Sequence, residues 1–87
     1  MNNSEKKFLF NLLSAPSPTG FETEGQKVWV KYVKKYAQTV NNDAYGTAWA
    51  TIKGKSVKSP IVMLEAHADE IGYIEKHIGK DGFLRLD

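Results

Sequence analysis

Two side chains capable of chemistry stand two positions apart at His67-Ala68-Asp69, near the end of the run P-I-V-M-L-E-A-H-A-D-E-I-G over residues 60–72. A neutral imidazole is a nitrogen ligand for Zn²⁺ or Co²⁺. A nearby carboxylate either ligates the same ion or accepts the other ring N–H, fixing the tautomer and raising the ligand's basicity. Side chains alternate along a strand, so residues 67 and 69 share a face and can act on one object. Glu65 has that parity as well. Glu70 is off it unless the strand has ended at Asp69, and His77 on a later strand reads as a surface or packing histidine. His67 is therefore the candidate metal ligand and Asp69 the candidate catalytic residue. A catalytic zinc needs about three protein ligands and an open position, and a two-metal site adds a bridging carboxylate. One convincing ligand is present.

The spacing H-x-D is common by itself, and its weight comes from the elements around it. Residues 61–64, Ile-Val-Met-Leu after Pro60, read as a buried central strand that delivers a polar site at its C-terminal end, where open α/β sheets keep their chemistry. Upstream, Ser4 is a candidate N-cap, and Phe8, Leu9, Leu12 and Leu13 recur at helical spacing, predicting a helix over about residues 4–14. Ala15-Pro16-Ser17-Pro18-Thr19-Gly20 stops it, since two prolines and a glycine forbid continuation. That stiff loop either joins two helices or packs beside an active site. A second helix opens near Phe21 and Glu22, with Thr19 or Thr23 as candidate caps. Its stripe of Val28, Trp29, Tyr32, Val33 and Tyr36 predicts one buried face, with lysines solvated on the other.

From Gln38 the period changes. Residues 39–41 and 47–52 alternate as a hairpin around a 42–46 turn in which Gly46 is free to take positive φ. Residues 53–59 read as a polar, mobile connection. Its Gly54-Lys55-Ser56 is no phosphate loop, because Trp49 stands where the first glycine of G-x-x-x-x-G-K-[ST] belongs. Residues 71–78 read as strand, and 79–82 as a turn into a last strand over 83–86. The order of helix, helix, hairpin, strand and hairpin has no crossover covering both faces of a parallel sheet, so the architecture looks unfinished.

Composition narrows the function classes. The 87 residues contain no cysteine, which excludes disulfides and thiolate zinc clusters and leaves nitrogen and oxygen ligands for any metal. A domain of this size buries only about 60–65% of its unfolded surface. The net charge of +2 is too small to argue for nucleic acid. Its distribution is uneven: residues 1–59 hold nine Lys against four acids (+5), and residues 60–87 hold three basic residues against six acids (−3). The acidic excess begins at the H-x-D site and suits either a cation site or a solvated charged surface. No apolar run approaches the roughly 18 residues that span a bilayer, so a soluble intracellular protein with no membrane partner is the expectation.

S-P-T-G-F-E at residues 17–22, Gly46, the run P-I-V-M-L-E-A-H-A-D-E-I-G-Y-I-E-K-H-I at 60–78 and D-G-F-L-R-L at 81–86 together resemble the N-terminal portion of the glutamyl and deblocking aminopeptidases. That family includes the tetrahedral aminopeptidases and proteins sometimes labelled cellulase or endoglucanase. The resemblance implies a cytoplasmic metallo-aminopeptidase that removes N-terminal residues from peptides with two divalent metals, zinc or cobalt, and assembles as a homo-oligomer. It implies His67 as ligand of one metal and Asp69 as the group orienting it. It also implies an α/β fold, with residues 1–69 as the first part of the catalytic domain and residues 70–87 as the first strands of an inserted, β-rich dimerisation domain. The family's bridging aspartate, glutamate base and remaining ligands lie beyond the residues matched. The chain by itself is thus expected to be inactive. The alternative is a non-catalytic interaction module that pairs through exposed strands at 61–64 or 83–86.

Overall fold

In the computed structural model, which describes residues 1–73 and 75–86 and only the backbone of 75–77 and 84–86, helix α1 spans Asn3–Ser14. It is capped by Asn2 rather than by Ser4. The Asn2 side chain accepts from the Glu5 N–H at 2.8 Å, and the Glu5 carboxylate accepts from the Asn2 N–H at 3.0 Å. This reciprocal capping box satisfies two orphan donors, and the acid at the third position also suits the helix dipole. Ser4, inside the first turn, is left without that role. Ala15 ends the helix in an extended conformation, φ −72° and ψ 130°, as a residue before proline must.

Helix α2 spans Thr23–Val33. Neither threonine caps it: the N-cap position is Glu22, which makes no side-chain cap bond. Its carboxylate turns back instead to accept from the Gly20 N–H at 2.6 Å. Gly20 takes φ +88°, which lets the Phe21 N–H reach the Pro18 carbonyl at 2.8 Å and close the loop as a tight turn. The two helices pack through their aromatic stripes. Phe8 stacks on Tyr32 with ring centroids 3.8 Å apart and planes 7° from parallel, a contact worth about 0.5–1.5 kcal/mol beyond area burial. Tyr36 lies 5.4 Å further along from Tyr32.

Strands β1 (Thr39–Asn42) and β2 (Ala48–Thr51) form the expected antiparallel hairpin, with Val40 opposite Ala50 and Asn41 opposite Trp49. Asp43 organises the turn, its Oδ1 accepting from the N–H groups of Tyr45 (2.9 Å) and Thr47 (3.1 Å). Gly46 takes the anticipated positive φ, +90°. The Gln26 side chain on α2 donates to the Gly46 carbonyl at 2.7 Å, tying helix to hairpin. Residues 56–59 form a closed turn held by Ser56 and Ser59. A second antiparallel pair, β3 (Glu75–Ile78) with β4 (Leu84–Leu86), carries a bulge between Glu75 and His77 and is joined by the Gly79–Gly82 turn.

Two expectations about burial are corrected. Residues 61–64 form no strand, and they are open to solvent, from 79% at Val62 to 96% at Ile61. The apolar run reads as buried only where sheet neighbours flank it. Among the described residues the hairpins pair within themselves and leave residues 61–64 without a ladder. Likewise the α2 stripe is half-buried, with Tyr36 exposed, and no described apolar residue is fully buried. The chain exposes 8081 Å², against the roughly 5,200 Å² that area scaling gives for a compact monomer of its mass. Residues 71–73 are likewise outside any strand, and Ile74 lies outside the described residues. No helix among the described residues is long and apolar enough to cross a membrane.

Candidate functional site

The loop after α1 does more than join two helices: it docks on residues 68–70 through backbone and side chain together. The Glu70 N–H donates to the Ser17 carbonyl at 2.8 Å, and the Thr19 N–H donates to the Glu70 carbonyl at 3.3 Å. These make a single parallel bridge between Pro18 and Glu70. Ser17 Oγ donates to the Ala68 carbonyl at 2.8 Å, and Thr19 Oγ1 donates to Asp69 Oδ2 at 2.5 Å. Ser17 is only 6% exposed, the most deeply covered polar residue described. Two glycines permit the approach. A Cβ at Gly25, on the first turns of α2, would stand 3.0 Å from Ser17 Oγ, and one at Gly72 would stand 3.0 Å from Pro18 Cβ.

On this support His67 and Asp69 meet, as their spacing anticipates. His67 Nδ1 lies 3.0 Å from Asp69 Oδ1 and 3.1 Å from the Asp69 carbonyl oxygen. Neither oxygen can donate, so Nδ1 carries the proton in the neutral ring and Nε2 keeps its lone pair. The imidazole is 87% exposed and the carboxylate 31%. Asp69 thus has one oxygen on Thr19 and the other on His67. The Thr19 hydroxyl bond, then the His67 bond, hold its carboxyl below the ordinary aspartate value, outweighing the opposing effect of desolvation.

An exposed neutral imidazole, its protonated nitrogen held by a carboxylate and its other nitrogen bare, fits a transition-metal ligand in donor chemistry and in access. It supplies one ligand. Among the described residues no three His, Asp or Glu side chains converge. Glu65 and Glu70 line the same groove as His67 without meeting it, and Glu70 takes part in the dock through its backbone. The side chain of His77 lies outside the described residues.

Sequence reasoning finds the H-x-D pair and leaves the 17–20 loop undecided. It misses Thr19 as a partner of Asp69, reading that hydroxyl as a helix cap. The sequence signal is the pair of hydroxyl residues, Ser17 and Thr19, in a proline-stiffened loop, and the helix that follows offers a competing use for the second of them.

Residues 46–87 match the M42 glutamyl aminopeptidase family. The chain is 37% identical over 76 residues to the lysyl aminopeptidase of Pyrococcus furiosus, a match covering 86% of this chain and 21% of that protein. The crystal structure of a TET aminopeptidase from a marine-sediment Thaumarchaeota archaeon superposes with a TM-score of 0.83 at 29% identity, covering 98% of this chain and 23% of that one. The chain spans about a fifth to a quarter of the length of the curated relatives it matches. The structural neighbour extends the likeness from the matched segment to both helices and the first hairpin, so that along nearly its whole length the chain is similar to M42 glutamyl and TET aminopeptidases.

Proposed function

We propose that this chain supplies the opening part of a two-metal aminopeptidase, in which His67 Nε2 ligates one divalent cation, zinc or cobalt, and Asp69 orients the ring. The observation that carries the reading is the paired contact of His67 Nδ1 with Asp69, which leaves the second ring nitrogen bare on an exposed imidazole. When bound, the metals would polarise a peptide carbonyl and lower the pKa of water. The chain's own residues hold and aim one ligand. Asp69 keeps the proton on Nδ1 and so keeps Nε2 free of one, while Thr19 and Ser17 fix the backbone and carboxylate beneath it.

A peptide substrate, cytoplasmic location and assembly with further copies of the chain follow from the family reading. The division at residue 69 into catalytic-domain and inserted-domain parts is a proposal in the same sense. It is supported by β3 and β4 pairing, among the described residues, with each other and not with the first hairpin.

One imidazole without a bridging carboxylate or a general base cannot complete the chemistry, so the chain alone is inactive. Incubation with an amino-acid anilide and added zinc or cobalt is expected to give no turnover above buffer; turnover abolished by His67→Ala would overturn this statement. The metal reading has its own check. Zinc is expected to perturb the His67 Nε2 resonance of this chain at millimolar concentration and to lose that effect in His67→Ala.

A second reading, a non-catalytic module that pairs with a partner strand, is favoured by the bare apolar residues 61–64. Sedimentation of the chain with and without an added extended apolar peptide separates the two, since self-association is expected on both readings and stable capture of the peptide only on the module reading.

A further inference from the structure

We propose that Thr19 is a positioning residue for His67, acting through Asp69: its hydroxyl holds one carboxylate oxygen so that the other stays aimed at the Nδ1 proton. The proposal rests on the reading of His67 as a metal ligand. It adds a residue 48 positions upstream, on a different element.

The geometry has two parts. An aspartate side chain that bonds a neighbour through one oxygen still turns about its own bonds, and a carboxylate beside an exposed histidine has water as a competing partner. Here the second oxygen is pinned by Thr19 Oγ1 at 2.5 Å, so rotation that would release His67 must break that bond too. Thr19 is itself pinned. Its N–H bonds the Glu70 carbonyl, the Glu70 N–H bonds the Ser17 carbonyl, and Ser17 Oγ bonds the Ala68 carbonyl, so the residue before Asp69 and the residue after it are both held by the same loop. Threonine suits the position for a second reason. Its branched Cβ restricts χ1, so its hydroxyl direction is set with less loss of freedom than in serine. A residue serving only to end α1 or cap α2 would need none of these contacts, and α2 takes no side-chain cap from it.

The test uses the ¹⁵N resonances of His67 in the metal-free chain at fixed neutral pH, followed by zinc titration, in the unaltered protein and in Thr19→Val and Thr19→Ser. The unaltered ring is expected to populate mainly the Nδ1–H form. Thr19→Val, nearly the same shape without the hydroxyl, is expected to shift the ring toward the other tautomer and weaken zinc binding about tenfold, the lower end of the range for losing an orienting partner. Thr19→Ser is expected to restore both to within about twofold.

A Thr19→Val ring with unaltered tautomer and zinc affinity overturns the proposal, and so does a Thr19→Ser variant as impaired as Thr19→Val, which would show that the hydroxyl by itself does not place the carboxylate. If Thr19→Val does not fold, the unaltered chain still decides. Its Thr19 hydroxyl proton is expected to exchange with water more slowly than that of exposed Thr51, and equal rates overturn the proposal. A Thr19-dependent tautomer in a chain whose Nε2 zinc never perturbs would sink the metal reading and leave the orienting role standing.

Discussion

Residues 61–64 and residues 67–70 are two halves of one extended run, and they differ in what holds them. The first half is the more apolar and reads as the more buried, yet it lies open to solvent with no ladder beside it among the described residues. The second half is polar, and it is fixed by bonds to a loop some 50 residues upstream. Apolar character is a demand for partners that a segment cannot meet by itself. A polar segment with the right hydroxyls and carbonyls opposite can be placed by a few contacts, each worth about 0.5–1.5 kcal/mol net and more where a carboxylate accepts. The site is thus set by the loop, not by a surrounding sheet.

The comparison breaks most sharply at Asp69. Asp69→Asn can keep a carbonyl acceptor but loses the charge that strengthens both of its bonds, so zinc affinity is expected to fall between about tenfold and a hundredfold. Titration followed at the His67 ring measures this. A change of less than about threefold would show that the loop, and not the carboxylate, sets the ring.

Smaller is the effect expected at Gly25. Alanine gains about 0.5–1 kcal/mol of helix propensity there, but its Cβ would meet Ser17 Oγ at 3.0 Å and displace a hydroxyl bonded to Ala68. The two effects nearly cancel in stability. Faster amide exchange at Glu70 with little change in melting temperature is the expected signature, whereas an equal variant placed on α2 at exposed Thr23 should leave Glu70 untouched.

The mildest test is acid. Because the folded-state pKa of Asp69 lies below its unfolded value, this group's contribution is complete above the unfolded value of 3.8 and is lost as pH falls through the lower, folded one. The Thr19 and His67 contacts should persist at pH 4 and loosen only below it, as followed by the chemical shifts of the Asp69 carboxyl carbon. Loosening that begins near pH 5 would mean the two bonds do not favour the ionised form.

Much of the fold was legible. The helices, the Gly46 turn and both hairpins follow from period and glycine placement, since each is closed by residues near in sequence. At the first cap Ser4 resembles a capping residue as well as Asn2 does, and the choice falls to Asn2 because only there does Glu5 stand at the third position to answer it. At 61–64 the apolar run predicts a buried strand that the structure lacks, because burial belongs to the surroundings and not to the segment. At the site, H-x-D declares itself by residue type. Thr19 does not, because its partner is distant in sequence and a hydroxyl before a helix has a more ordinary explanation.

The contacts between Ser17 and Ala68 and between Thr19 and Asp69 join residues 51 and 50 apart. During synthesis α1, with its own start signal in Asn2 and Glu5, can form as soon as it emerges, whereas the seat of His67 waits until residue 70 has left the ribosome and a loop of that span has closed. The pairing of His67 with Asp69 is therefore among the last features this stretch acquires, and a nascent chain arrested a few codons earlier would carry ordered helices above a histidine that still rotates freely.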